Sequence, residues 1–339
     1  MEDKNPFLSI CIPTYNRIIR LQKLVLNILS SPLQDIEIVI LDNCSTDNTL
    51  NILKEIKDKR LSVYSNEKNI GGLLNGFKAL QYAKGFFSLL CLDKDFINVE
   101  KLQDFENILK KNIDIDVGFC NLFFTGNVEY NRYYAGFDAV IHLAYLSKHP
   151  SGTFYKSSIY KNSNILKIIF TENKDFFFNV ELLNAELASY GNGMIVNIPL
   201  FILETEKEAA AFSTLTYNKN NLFFLPNQRI KEYCFYITHI YILPLKKFEK
   251  VKLLKKVIKQ GLFSSTIEYK NIMKNKNILQ HYSMTVKKIS SIDCFIYSFR
   301  YLSAFLNLNI DMNYLQKIII LIKLYIYFLY YFIKKMVIL

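Results

Sequence analysis

Asp93 and Asp95 follow the apolar run at residues 86–92, in the order Leu92-Asp93-Lys94-Asp95. Extended backbone sends residues i and i+2 to the same side. The pair therefore offers hard carboxylate oxygens to Mg²⁺ or Mn²⁺, ions suited to bridging a diphosphate. An isolated pair of this kind is more often a set of turn or capping aspartates, so its neighbours decide. Two other strand ends supply them: Pro13-Thr14-Tyr15-Asn16-Arg17, and Asp42-Asn43-Cys44-Ser45-Thr46-Asp47-Asn48-Thr49. Asn69-Ile70-Gly71-Gly72 lies between. Arg17 reads as a solvated residue of a first helical turn.

The elements that must carry these residues alternate. Residues 7–12 read as a strand, and Leu21, Leu24, Val25, Ile28 and Leu29 then mark one helix face. Residues 36–41 are apolar and β-branched, as a strand covered on both faces requires. Ser45-Thr46-Asp47 supplies helix-start chemistry before Leu50, Leu53 and Ile56. A strand near 61–65, a helix from about 72 to 84, a strand at 86–92 and a helix at 99–111 complete the pattern. Such spacing predicts right-handed crossovers and a mostly parallel sheet, whose ligands sit beyond the carboxyl ends of the strands. Further on, Lys148-His149-Pro150-Ser151-Gly152 reads as a loop before a strand or turn at 153–155. A helix is expected from about 175 to 190, and a loop at 270–276.

The hydrophobic fraction of 51% is enough for a real core and excludes a disordered polymer. The six cysteines are scattered without a C-x-x-C, so neither a zinc knot nor a disulfide framework is indicated. With a polar N-terminus lacking the marks of a secretory signal, a reducing cytoplasm fits best. The net charge of +12 is uneven: residues 1–200 carry 21 Lys+Arg against 22 Asp+Glu, and residues 201–339 carry 21 against 8. A basic surface confined to one end suggests a partner met only there, an anionic membrane or a nucleic acid.

In this order and spacing the four segments resemble the family 2 glycosyltransferases. The likeness lies in Ser9-Ile10-Cys11-Ile12-Pro13-Thr14-Tyr15-Asn16-Arg17, a strand ending in Asp42 with Ser45-Thr46-Asp47 behind it, Asn69-Ile70-Gly71, and Asp93-Lys94-Asp95. The resemblance implies an α/β chain of GT-A type (Rossmann-like, a mostly parallel sheet flanked by helices), here with a basic helical C-terminal extension. It also implies an inverting transfer of sugar from a nucleotide donor, a UDP-sugar first, with Mn²⁺ or Mg²⁺ as cofactor. The metal ligands would be Asp93 and Asp95. Asp42 would accept the N–H of a uracil-type base, and Pro13, Thr14 and Tyr15 would wall base and ribose. Asn69, Gly71 and Asp93 complete the expected donor site. His149, Ser151 and Gly152 resemble the glycine-containing acceptor loop and take a substrate-binding role. Lys94 departs from the family, which often has a further Asp there, and its side chain is expected to point away. The Glu-Asp pair that often holds the base is also missing between 150 and 200. Asp175 and Glu181 remain as candidates for the catalytic base.

The domains expected are 1–205, a GT-A unit with a donor half to about 125 and an acceptor half beyond it, and 206–339, basic and helical. In the tail at 315–339, Gln316, Lys317, Lys323, Lys334 and Lys335 fall within an arc of about 120°, whereas Ile319, Leu321 and Phe328 lie outside it. Such a helix suits the headgroup region of an anionic membrane on the inner cytoplasmic face, near a lipid-linked or cell-surface glycan acceptor. The alternative for the helix is packing on the protein itself or on a second copy, and a homo-oligomer stays open. Two other functions are weaker. A nucleotidyltransferase would want a glycine- and lysine-rich loop after the first strand, which Pro13 to Arg17 is not. A non-catalytic nucleic-acid-binding protein would want more arginine than Arg229 and Arg300, the two present after residue 200, so no nucleic-acid partner is expected.

Overall fold

The computed structural model describes residues 5–121, 127–144, 149–172, 179–202, 222 and 224–337. They fall in two compact units, one holding the described residues up to 202 and the other those from 222 onward. The expected boundary at 205/206 lies outside the described residues.

The first unit opens with β1 (Leu8–Thr14), α1 (Ile18–Leu29), β2 (Ile36–Asp42), α2 (Thr49–Glu55), β3 (Leu61–Ser65), α3 (Gly72–Gln81) and β4 (Phe87–Leu90). Every residue of β1, β2 and β4 is buried, as continuous apolar runs covered on both faces must be. Helix α1 buries Leu21, Leu24, Val25 and Ile28, the stripe read from the sequence. Helix α2 starts where Asp47 Oδ1 accepts the Thr49 N–H at 3.1 Å, satisfying one orphan donor of the first turn. The unit continues through β5 (Phe96–Ile97), α4 (Val99–Lys110), β6 (Ile115–Cys120), β7 (Tyr130–Tyr133), α5 (Phe137–Leu143), β8 (Thr153–Lys156), α6 (Ser157–Lys161), α7 (Asn164–Glu172), α8 (Asn179–Tyr190), β9 (Asn192–Val196) and β10 (Phe201–Ile202).

Eight strands form one sheet in the order β3-β2-β1-β4-β8-β6-β9-β7, and β10 pairs with β5 apart from it. The half from β3 to β4 is wholly parallel. Antiparallel pairing enters at β8, which lies between β4 and β6, and at β7. Chain direction therefore changes beside β4, the strand that leads to Asp93 and Asp95.

The second unit is helical, with α9 (Pro226–Tyr241), α10 (Lys247–Phe263), α11 (Tyr269–Ile272), α12 (Lys276–His281), α13 (Ser291–Leu306) and α14 (Tyr314–Val337). Residues Ser264–Glu268 join α10 to α11 as a π-helical turn. The segment expected as a loop at 270–276 is thus helical to Ile272, because Tyr269 and Met273 are buried and hold the backbone to the unit. Among the described residues no helix is long and apolar enough to cross a membrane. Helix α14 packs on the unit through Ile320, Leu321 and Phe328. Lys317, read from the sequence as part of the polar arc, is only 6% exposed. Its Nζ donates to the carbonyls of Leu306 at 3.1 Å and Leu308 at 2.5 Å, which satisfies acceptors that the end of α13 leaves open.

Candidate active site

Strands β1, β2 and β3 end level with one another, Thr14 opposite Asp42 and Asp42 opposite Ser65. Asp42 is fully buried. Its Oδ2 accepts the Ser45 N–H at 3.0 Å and the Ser65 hydroxyl at 3.2 Å. Its Oδ1 is buried without a hydrogen-bond partner, an arrangement costly enough to need a reason.

The loops leaving β1 and β2 are latched together. Asn16 and Cys44 hold left-handed backbone, with φ of 52° and 63°, a conformation that Asn tolerates better than most side chains. From it, Asn16 Oδ1 accepts the N–H groups of Thr46 at 2.7 Å and Asp47 at 3.3 Å, and its own N–H donates to Ser45 Oγ at 2.9 Å. Behind them an amide network fixes the floor. Asn75 Nδ2 donates to the Leu41 carbonyl at 2.9 Å, Asn66 Nδ2 to Asn75 Oδ1 at 2.8 Å, and Lys78 Nζ to Asn66 Oδ1 at 2.7 Å. Asn43 joins this network to the next loop, accepting the Ile70 N–H and donating to Asn69 Oδ1, each at 2.9 Å. Asn69 Oδ1 in turn accepts the Gly71 N–H at 2.9 Å, and Gly71 has φ of 89°. Sequence reasoning missed Asn16, Asn66, Asn75 and Lys78. Asn directly after an apolar strand was the one available signal.

Asp93 and Asp95 are brought together by a turn rather than by strand alternation. β4 stops at Leu90, and the Asp95 N–H donates to the Leu92 carbonyl at 3.0 Å. Both carboxylates are buried, but they face different partners. Asp93 Oδ2 accepts the Thr14 hydroxyl at 2.9 Å, and Asp93 Oδ1 pairs with Arg17 Nη1 at 2.9 Å. Burial pushes the Asp93 carboxyl above its ordinary value, while Arg17 and Thr14 pull it down. Arg17 is therefore part of the site rather than a solvated helix residue. Asp95 Oδ2 accepts the Ser151 hydroxyl at 2.5 Å, and His149 Nε2 lies 3.6 Å from it. Ser151 Oγ also accepts the Leu92 N–H at 2.9 Å, and Gly152, with φ of 93°, donates its N–H to the Leu90 carbonyl at 2.9 Å. The 149–152 segment thus braces the Asp93–Asp95 turn, with Ser151 nearly inaccessible. Burial holds His149 below the usual histidine value, Asp95 opposing this and Lys94 adding to it.

Pro13 is buried beside Gly76 of α3, and Tyr15 is half-buried. Glu181, half-buried in the first turn of α8, is near enough to Tyr155 for its charge to help burial raise that phenol. Asp175 lies outside the described residues. No group of three or more His, Cys, Asp or Glu side chains able to hold a metal ion occurs among the described residues. Asp93 and Asp95 still suit an ion that keeps one or two carboxylates and takes its other ligands from a diphosphate.

A parallel half-sheet that gathers acidic and amide side chains at its carboxyl edge, then turns antiparallel beside them, defines a GT-A nucleotide-sugar transferase class of fold. The model of the family Glycosyl transferase family 2 matches residues 9–175, so this stretch is a glycosyltransferase family 2 domain. It is 30% identical over 123 residues to an uncharacterized glycosyltransferase of Haemophilus influenzae, covering 34% of this chain and 49% of that one. It is 36% identical over 104 residues to the poly(ribitol-phosphate) β-N-acetylglucosaminyltransferase TarS of Staphylococcus aureus, covering 28% and 18%. With a GalNAc(5)-diNAcBac-PP-undecaprenol β-1,3-glucosyltransferase of Campylobacter jejuni it shares 32% identity over 94 residues, covering 26% and 30%. The chain spans half or less of the length of these curated relatives. A crystal structure of TarS residues 1–349 with UDP-GlcNAc has the same fold, with a TM-score of 0.55 at 15% identity over 87% of this chain and 89% of that one.

Proposed function

We propose that the chain transfers one sugar from a nucleoside diphosphate donor, a UDP-sugar first, to a hydroxyl of a lipid-linked or cell-surface glycan, with inversion at the anomeric carbon. Asp42 carries the reading. It holds an unpartnered carboxylate oxygen at the carboxyl end of a parallel strand, where ligands of such sheets sit, and an N–H such as that of uracil would satisfy it. TarS is crystallised with UDP-GlcNAc, which supports that class of donor.

Residues 1–205 would form the catalytic domain, with the acceptor half from about 126. Tyr15 and Asn69 would line the donor site from the loop side, and Thr14 and the Asn66–Asn75 network would hold its floor. Asp95 and Asp93 would hold a divalent cation, Mn²⁺ or Mg²⁺, which when bound neutralises the leaving diphosphate. Asp93 would exchange Arg17 as partner, leaving the guanidinium for donor phosphate oxygens. Asp175, or Glu181 in its place, would take the acceptor's proton. His149 would meet the acceptor beside Asp95. The acceptors in the names of TarS and the Campylobacter enzyme are a polymer and a lipid-linked glycan. A peripheral position on the inner face of the cytoplasmic membrane, reached through the basic helical region, would suit acceptors of that kind.

Release of free nucleotide across a panel of UDP-, GDP- and dTDP-sugars, with Mn²⁺ or with EDTA, tests the reading. UDP release that needs the metal is expected, with UDP affinity at least tenfold weaker in Asp42→Asn, whose amide oxygen still accepts from Ser45 and Ser65 while its Nδ2 cannot accept a base N–H. No release from any donor, together with no UDP binding by calorimetry, would overturn it.

A further inference from the structure

Helix α14 has two apolar faces, and its packing uses one of them. Ile320, Leu321 and Phe328 are 5–6% exposed. Leu315, Ile319, Ile322, Ile326 and Tyr330 are 47–67% exposed. At the helical advance these five share an arc of about 80°, opposite the packed face. Helix α13 repeats the pattern with Ile292, Ile296 and Phe299, exposed by 71%, 44% and 61%. The two stripes adjoin, since the Phe299 ring lies 5.6 Å from that of Tyr325 on α14. On the other flank of the α14 stripe is a cleft with an apolar floor of Val251, Met312 and Ile320, carrying Lys247, Lys255 and Lys323 on its walls.

A soluble surface rarely leaves so ordered an apolar strip open without a partner. Charge identifies the partner. Residues 242–337 carry 17 Lys+Arg against 4 Asp+Glu, so a second copy meeting this face would set like charge against like. A surface of phosphate groups over hydrocarbon matches both halves of the arrangement.

We propose that α13 and α14 form a lipid-docking platform, their apolar stripes entering the outer acyl region of an anionic bilayer while the Lys247–Lys255–Lys323 cleft takes a phospholipid phosphate. This rests on the peripheral-membrane reading above and adds to it a face and a headgroup site. The face differs from the one read in the sequence, since Leu321 and Phe328 point inward and Ile322, Ile326 and Tyr330 point out.

Sedimentation of the full chain with vesicles of phosphatidylcholine, with and without 30% phosphatidylglycerol, tests it at about 0.1 M salt, near physiological screening. The chain should bind the anionic vesicles. Lys247→Ala/Lys255→Ala/Lys323→Ala should lower that affinity by about a hundredfold, from the attraction each lysine feels near an anionic surface. Ile322→Asp/Ile326→Asp should weaken it at least tenfold. Circular dichroism melts and UDP binding by both variants report that they are folded. Binding unchanged in both variants would overturn the platform and leave the membrane reading standing. A chain that ignores all vesicles overturns both. A dimer in sedimentation velocity that Ile322→Asp/Ile326→Asp dissolves, with vesicles ignored, would give the face to a second copy instead.

Discussion

Arg17 and Asp93 form an ion pair with side chains 15% and 8% exposed. Asp93 is the costlier of the two to bury, since removing the guanidinium would leave only the neutral Thr14 hydroxyl and Tyr15 N–H as donors offset against desolvation. Arg17→Ala should therefore lower stability by about 2 kcal/mol, the range for a lost hydrogen bond to a buried charge. Asp93→Asn should cost less, because a neutral amide can still accept from Thr14. A double-mutant cycle by urea denaturation should return a coupling of about 1–2 kcal/mol. A coupling below about 0.5 kcal/mol, ordinary for solvated pairs, would return Arg17 to the solvent-facing role its sequence position suggested. The sequence offered Asp93 as a ligand because carboxylates near a strand end are conspicuous. Nothing in the spacing of Arg17 revealed a partner 76 residues away.

The segment 149–152 braces the Asp93–Asp95 turn through Ser151 and the Gly152 backbone. Gly152 has φ of 93°, and a Cβ built there would lie 3.2 Å from Cys120 Cβ and 3.4 Å from the Phe201 ring. Gly152→Ala combines a left-handed alanine with a tight contact, at a cost of about 1–3 kcal/mol. The strain should act through Ser151, whose hydroxyl holds both Asp95 and the Leu92 N–H. Mn²⁺-dependent nucleotide release should accordingly fall at least tenfold, with a smaller effect on UDP affinity, because Asp42 lies on another strand. Equal losses of both would mean that the whole edge had shifted. The sequence made β1, α1 and β2 legible because each is a long run with one period and both strands are covered on two faces. It made Asp42 and the Asp93–Asp95 pair legible because they end such runs. The turn at Leu92, the insertion of β8 between β4 and β6, and the Asn66–Asn75 network were not legible. Each depends on contacts between distant segments, and asparagine carries no periodic signal.

At the scale of the whole chain, charge separates the two units, and the first contains a titrating group far from its functional edge. Glu106 of α4 is fully buried. Lys110 Nζ lies 3.2 Å from Glu106 Oε2 and 2.9 Å from Asp35 Oδ2. Burial, with the neighbouring Asp35 carboxylate, raises Glu106 from 4.5 to about 7, and the proton it keeps is shared with Asp35, which is lowered. A carboxyl raised in the folded state binds its proton more tightly there than in the unfolded chain. Its contribution is therefore complete below the unfolded value and is lost as pH rises from 4.5 toward 7. Asp35 works in the opposite sense, but its window lies below its ordinary value of 3.8, outside this range. Glu106→Gln keeps a donor toward Asp35 and an acceptor toward Lys110 and does not titrate. Its stability relative to the unmodified chain should rise by about 2 kcal/mol between pH 5 and pH 7.5, about two-thirds of the full linkage for such a shift. Urea denaturation followed by far-ultraviolet circular dichroism at half-unit pH steps measures the difference, and parallel pH profiles for the two proteins would refute the assignment.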